Sequence, residues 1–368
     1  MTGRYLSILA VSLMACGQDA GTSQLPVELT TEPMFVDGKC MAWDGDAYAV
    51  VWVGRTAELG DIFFTRVAPD GQVLFAPERL YQGVEHRVST CHLVPQGESY
   101  LLVLQMNGEG SDQFVFYPNG TSQGSPQEIF DSSAAHDVTM RSGVPHILHT
   151  ESGSVAGTYS YYLRVHADSI PDPPVIAPHT SGKYDPEFSW RAEEGVYLAV
   201  WRRSNLVRFG RIDALGAFVD PEDPLFDTGN SQYGPVELLP DGNGGMLVAW
   251  IENDQWTFLA ADTTGVPIWA APVGLLPPNR AAWPALSMVF MNDQPYAVWR
   301  SDHETSLAQI YSARIDASAE AVSDITMLSD PQYDYRDPVA VASETEIAVL
   351  FEGRAAGTER LYWTTTGQ

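Results

Sequence analysis

Lysine is nearly absent from this chain of 368 residues: Lys39 and Lys183 are the only two among 20 basic residues, set against 47 Asp and Glu. A surface that acidic repels phosphate backbones and anionic headgroups, so nucleic acid is excluded as a natural partner. It suits solubility, cationic ligands or divalent metal, and equally a surface that is simply well solvated. Cysteine is scarce as well, with three in all, and no Cys/His spacing of the metal-binding kind occurs. Familiar catalytic signatures are missing: there is no G-x-S-x-G turn, no Walker A phosphate loop and no H-E-x-x-H pair. The apolar run near the N-terminus, residues 5–14, is too short to span a bilayer as a mature helix.

What the chain does have is aromatic residues, 16 Tyr and 10 Trp, a bias that favours strands. The N-terminal run follows Arg4 and reads as a signal peptide. It closes on Leu13-Met14-Ala15-Cys16, which resembles the lipobox of bacterial lipoproteins. The resemblance implies cleavage after residue 15 and lipid on the Cys16 thiol and its new amino group. An ordinary secretory signal that happens to contain Cys is the alternative. Residues 1–15 are then the signal peptide, residues 16–22 a lipidated Cys and flexible tether, and residues 23–368 a single domain. The implied address is the bacterial cell envelope: outer membrane or cell surface, with a periplasm-facing anchor also open. With Cys16 lipidated, Cys40 and Cys91 remain as a pair in an oxidising compartment, either disulfide-bonded or as two buried thiols.

The chain repeats itself. Apolar runs "YAVVW", "YLLVL", "PHILH", "YLAVW", "MLVAW", "PYAVW" and "EIAVLF" close on Trp52, Leu104, His149, Trp201, Trp250, Trp299 and Phe351, at spacings of 52, 45, 52, 49, 49 and 52. Each copy carries a strand before the run, a tight turn, the run itself, a variable polar loop and a third strand such as "DIFFTRV" or "LVRFGRI". A second tight turn and a weaker fourth strand, "VLFAPERLY" or "VPIWAAPVGLL", complete it. Asp-Gly and Asn-Gly in those turns supply the positive φ that short hairpins require.

A run apolar at every position needs both faces covered. Radially packed four-stranded sheets provide that, so the fold class expected is an all-β, seven-bladed β-propeller of antiparallel blades. The seventh copy stops after its third strand, and "SQLPVELTT" (23–31) matches a fourth strand. The N-terminal strand is therefore expected to complete the last blade, with 27–30 alongside 361–364, and hide its free edge. "DIFFTRVAPDGQVL" (61–74), with echoes in "FGRIDALGAFV" and "IYSARIDASAEAV", resembles the D-I-Y-x-x-R-V-x-P-D-G-x-V-L-D repeats of bacterial lipoprotein propellers. That resemblance implies a fold and a location and supplies no activity.

In this grammar the tight turns share one face of the molecule, and the longer loops and inter-blade connections share the other. Ligand sites favour such loops. The loop-bearing candidates after the second strands are Arg55, Glu151, Arg202, Arg203, Glu252, Arg300, Asp302, His303, Glu352 and Arg354. Between blades come His86, Arg87, His136, Asp137, Tyr184, Asp185, Tyr233, Trp283, Tyr335, Arg336 and Asp337. Guanidinium groups there would suit a carboxylate, sulfate or sugar acid, with aromatic rings as stacking surfaces. Paired with neighbouring carboxylates instead, they would be edge ion pairs of little energetic weight.

Third-strand Arg66, Arg164, Arg211 and Arg314 recur at matched positions and read as packing or ion-pair residues, because an active site breaks symmetry. The function expected is a lipid-anchored, non-catalytic, monomeric binding or scaffold module for a protein or glycan. It meets a membrane only through the lipid on Cys16. The alternative is a surface glycoside hydrolase or lyase, sialidase-like, recruiting Tyr335, Asp337 and Glu352 beside an arginine-rich channel mouth. Against that stands the absence of S-x-D-x-G-x-x-W turns. No cofactor is expected. "DGD" (44–46), "DGNGG" (241–245) and "DPEDPLFD" (220–227) offer hard oxygens to Ca2+ without EF-hand spacing, so no calcium site is placed.

Overall fold

The computed structural model describes residues 26–30, 34–55, 59–106, 110–116, 120–121, 127–130, 134–141, 144–152, 159–165, 175–180, 187–203, 206–214, 217–219, 223–227, 236–240, 244–252, 255–275, 285–301, 307–316, 320–355 and 358–366. Among them there are strands and no helix. A short N-terminal strand, β1 (Val27–Glu28), comes first. Sheet 1 follows with β2 (Phe35–Trp43), β3 (Tyr48–Arg55), β4 (Gly60–Val67) and β5 (Glu78–Val84). Sheet 2 holds β6 (Val88–Gln96), β7 (Ser99–Met106), β8 (Gly110–Phe116) and β9 (Gln127–Phe130). Sheet 3 holds β10 (Ala134–Arg141), β11 (Val144–Ser152), β12 (Tyr159–Val165) and β13 (Val175–Thr180). Sheet 4 is β14 (Glu187–Arg191), β15 (Val196–Arg203), β16 (Leu206–Asp213) and β17 (Asp223–Asp227). Sheet 5 is β18 (Val236–Pro240), β19 (Gly245–Glu252), β20 (Gln255–Asp262) and β21 (Val273–Gly274). Sheet 6 is β22 (Leu286–Met291), β23 (Gln294–Ser301), β24 (Gln309–Asp316) and β25 (Ala321–Met327). Sheet 7 takes β26 (Asp334–Ala342), β27 (Ile347–Ala355) and β28 (Thr358–Thr366).

Every pairing is antiparallel between sequence neighbours, except in sheet 7, whose order is β1-β28-β27-β26. There the two ends of the described chain meet. Val27 pairs with Trp363, Glu28 with Tyr362, and the Leu29 amide donates to the Leu361 carbonyl at 2.8 Å. Of the strand expected across 23–31, the described residues 26–30 give two paired residues and two further hydrogen bonds, the second from the Leu361 amide to Thr30 Oγ1 at 3.1 Å. Arg360 closes the join by donating to both carboxylate oxygens of Glu28, at 2.8 and 2.7 Å.

The second strands are buried on both faces. In β3 all eight residues are buried. Val51 and Val53 pack toward Leu102 and Leu104 of sheet 2, while Tyr48, Val50 and Trp52 pack toward Leu350 and Trp363 of sheet 7. Alternate side chains of one strand therefore serve two neighbouring cores. The first strands make the innermost contacts: β2 lies against β6, β6 against β10, and so on to β22 against β26, with β26 also against β2.

Two expected fourth strands are shorter than the sequence suggests. "VLFAPERLY" contributes an isolated bridge, Val67 to Val73, and then the strand β5 from Glu78. "VPIWAAPVGLL" contributes a bridge from Ala261 to Pro267 and then only Val273–Gly274. Pro77 and Pro272, each just before its short strand, carry no amide hydrogen to donate to a ladder. The turns follow their chemistry: Gly71 of Asp70-Gly71 has φ 86°, and Asn292 and Asp293 adopt φ of 52° and 59°.

Candidate functional site

The loop-bearing face is built where second strands end and inter-sheet connections begin. Arg55, the last residue of β3, is buried there. Its Nε donates to Asp37 Oδ2 at 2.5 Å, and an Nη2 hydrogen bond goes to the His86 carbonyl. The same Asp37 oxygen accepts from the Val88 amide at 3.3 Å. Asp37 is the extra residue of a bulge between Val36 and Gly38, and the bulge aims its carboxylate at sheet 2. Arg55 and Asp37 together staple sheet 1 to the connection that starts sheet 2. The disulfide Cys40–Cys91 joins β2 to β6 directly, with Cα atoms 5.4 Å apart.

On the other side of sheet 1, Lys39 donates to Glu352 Oε1 at 2.5 Å across the seam with sheet 7. Both side chains are almost withdrawn from solvent, at 5% and 11% exposure. Burial pushes the Glu352 carboxyl above its ordinary range, Lys39 opposes that, and Asp337 and Glu359 add to it. Glu359 is itself buried, so this seam holds Asp337 and Glu359 within electrostatic reach of Glu352. Arg354, two residues along β27, is exposed.

Tyr335 and Glu352 do not share a site. The Tyr335 ring is fully buried against Phe351 and Tyr362, in the core between sheets 6 and 7, where burial raises its phenol. Glu352 faces sheet 1 from the opposite side of the same sheet. Asp337 is exposed, with φ 43°. Of the trio expected for sialidase-like chemistry, Tyr335 is thus set apart from Glu352, while Asp337 lies close enough to Glu352 to act on its carboxyl. Arg336 pairs with Asp334 at 3.3 Å. Asp137 accepts from the Phe188 amide at 3.0 Å and links sheet 3 to sheet 4. His86 is half-buried, Arg87 is exposed, and Arg300 is half-buried with its Nε lacking a hydrogen-bond partner among the described residues.

Cys16, Tyr184, Asp185, Tyr233, Trp283, Asp302 and His303 lie outside the described residues, as do the side chains of His136, Glu151, Arg202 and Arg203. Asp37, Lys39, Asp334 and Glu359 escaped sequence reasoning. The available signal was Lys39 itself, a rare lysine inside an apolar strand.

The turn-bearing face is latched as well. The Tyr100 hydroxyl donates to Asp44 Oδ2, and Arg66 donates to the same oxygen at 2.7 Å. Burial raises the Asp44 carboxyl, but the hydrogen bonds from Tyr100, Ala47 and Asp46 and the charge of Arg66 outweigh it, so it sits low. Tyr48 reaches the Glu346 carbonyl, and Tyr197 shares a hydrogen bond with His146 Nδ1. In sheets 1 and 2, then, a tyrosine at the start of the second strand grips the first turn of the preceding sheet, and in sheet 4 Tyr197 reaches the start of the second strand of sheet 3. Of the third-strand arginines, Arg66 pairs with Asp44, Arg211 with Glu194 at 3.5 Å and Arg314 with Asp324 at 3.2 Å. The Arg164 side chain lies outside the described residues. Among the described residues no three His, Cys, Asp or Glu side chains gather as a metal would require. The Asp44 carboxylate of "DGD" is instead engaged by its own turn, Arg66 and Tyr100.

No family model matches the sequence, and no curated protein does. Solved structures resemble it in three dimensions. The polysaccharide lyase Uly1 aligns with a TM-score of 0.60 at 8% identity, over 90% of each chain. A chain of a mitotic checkpoint complex aligns at 0.54 and 11% identity, over 99% of each. The sialidase of Trypanosoma rangeli aligns at 0.52 and 10% identity, over 93% of this chain and 57% of that one. At such identities the likeness concerns the fold alone.

Proposed function

We propose that this chain is a seven-bladed β-propeller, closed by its N-terminal strand and held at the bacterial cell envelope by lipid on Cys16, which binds a protein or glycan on its loop-bearing face without catalysis. The seven four-stranded sheets and the run of first-strand contacts from β2 round to β26 support the closed ring. The signal-like residues 1–15 and the Leu-Met-Ala-Cys sequence support the anchor. No nucleic acid is a partner of so acidic a surface.

One observation carries the non-catalytic reading: Tyr335 and Glu352 point to opposite faces of sheet 7. Sialidase-like chemistry needs a tyrosine in the same cleft as the carboxylates, and Tyr335 is buried on the far side of the sheet from Glu352. Here Glu352 is taken by Lys39, Arg55 by Asp37 and Arg336 by Asp334. The accessible charge on the described loop-bearing face, including Glu85, Arg87, Asp337 and Arg354, is spread across sheets and suits recognition more than chemistry. The alternative, a glycoside hydrolase or lyase, receives from the polysaccharide lyase and the sialidase a shared fold and nothing further.

A glycan array and a hydrolysis and elimination screen on the protein without residues 1–16 test the reading. Binding without turnover is expected. Turnover of any polysaccharide or sialoside that disappears in Arg300→Ala would overturn it.

A further inference from the structure

We propose that the turn-bearing face rests on the lipid surface and the loop-bearing face points away from it. This builds on the lipid anchor at Cys16 put forward above. Chain direction is the first argument. β1 runs antiparallel to β28, with Val27 opposite Trp363 and Leu29 bonded to Leu361. β28 ends at Thr366, paired with Ile347 just past the first turn of sheet 7. The chain before Val27 therefore comes from the turn-bearing side. Cys16 to Pro26 is ten residue steps, at most about 36 Å when fully extended. Strands of eight or nine residues are about 27–30 Å tall. From Val27, opposite Trp363, the turn-bearing end of β28 at Thr366 is three residues away and the loop-bearing end at Thr358 is five, about 10 and 17 Å, so the turn-bearing end is the nearer one.

The second argument is independent of the anchor. Leu74, Val219 and Ile268 occupy one structural position in sheets 1, 4 and 5: after the third-to-fourth strand turn, their amides donate to the carbonyls of Arg66, Arg211 and Ala260, each at 2.8 Å. All three side chains are exposed, by 46%, 48% and 59%, and Val266 beside Ile268 by 58%. Large aliphatic side chains held in water at a repeated height around one end of the molecule mark that end as a contact surface. Among the described residues at the other end, the exposed large apolar side chains are Phe35 and Leu59 of sheet 1, while Ile325 and Met327 run along the outer strand β25.

Charge decides which lipids fit. The turn tips expose carboxylates, including Asp46, Asp70, Glu98, Glu193 and Glu344, which anionic headgroups repel over a Debye length. The surface accordingly suits zwitterionic lipid.

The test uses the chain from Cys16 onward, which contains every described residue, coupled through the Cys16 thiol to a maleimide phospholipid in phosphatidylcholine vesicles that carry a headgroup quencher. A fluorophore is attached through an azide-bearing residue at position 219 or 268, or at position 87 on the loop-bearing face. Positions 219 and 268 are expected to lose most of their emission, and position 87 to keep it. Equal or stronger quenching at position 87 overturns the orientation. Val266→Asp with Ile268→Asp should relieve quenching at position 219, and unchanged quenching overturns the apolar contact. Adding phosphatidylglycerol should weaken the quenching, and a rise overturns the charge argument. The anchor has its own readout, the mass of the N-terminal peptide of the full chain made in a lipoprotein-processing bacterium. An unmodified Cys16 defeats the anchor while leaving the coupled protein to decide the geometry.

Discussion

Lys39 of β2 and Glu352 of β27 meet at 2.5 Å across the seam where the two ends of the repeat come together, 313 residues apart in sequence. One of only two lysines in the chain is spent there, on a carboxylate whose pKa burial pushes up. The pair answers to the desolvation rule: two buried charges offset each other, while either one alone is costly.

Lys39→Met should therefore destabilise the protein by about 3–5 kcal/mol, and Lys39→Met with Glu352→Leu should recover most of that loss. Urea unfolding of the three proteins measures both. A double variant no more stable than the single one would show that the pair is not a self-contained unit.

His146 gives a pH dependence. Burial first, and the Arg141 charge second, hold its imidazole down to about 4 from 6.5. The folded state then binds fewer protons than the unfolded one between those values, so stability is full above pH 6.5 and falls as the pH drops toward 4. The melting temperature of His146→Gln should change less across that window than that of the parent protein. Parallel curves would assign the acid sensitivity elsewhere.

Asp44 works in the same direction at lower pH. Its depressed carboxyl contributes stability above the ordinary value of 3.8, and that contribution disappears as pH falls through the lower folded value. Asp44→Asn should cost about 1–3 kcal/mol at neutral pH, through the weakened contacts to Tyr100 and Arg66. The gap to the parent protein should narrow below pH 3.8. A gap that stays constant would mean the charge plays no part.

The Cys40–Cys91 bond closes a 51-residue separation. Reduction, or replacement of both residues by Ala, should lower stability by about 2–4 kcal/mol while the far-ultraviolet circular dichroism of the strands is retained. Loss of the strand signal on reduction would make the bond a condition of folding and not a reinforcement.

Deleting residues 1–30 strips β1 from sheet 7 and uncovers the edge of β28. The shortened protein should associate at concentrations where the parent is monomeric, as sedimentation would reveal, because an unpaired edge recruits further strands. A monomeric truncated protein of unchanged stability would contradict the role given to β1.

Strand content, repeat number and the pairing of the two chain ends were legible in the sequence because each depends on local pattern. A run such as "YAVVW" must be covered on both sides, and Asp-Gly must turn. The reach of the fourth strands was not, since Pro272 stands between the bridge at Pro267 and the short strand from Val273 in a run whose apolar residues looked continuous. The candidate site was least legible. Arg55 and Arg87 look alike as loop-end arginines, yet one is buried against Asp37 and the other is exposed.

Composition and periodicity by themselves determined an acidic, all-β chain of seven similar units, because hydrophobic burial and turn geometry act over a few neighbouring residues. Tertiary structure alone decided which charged groups are spent on one another. Partners such as Lys39 and Glu352, or Tyr100 and Asp44, lie on different sheets. Whether a side chain is a ligand contact or an internal tie depends on which face of its sheet it leaves from and what the neighbouring sheet presents there. No spacing along the chain records that.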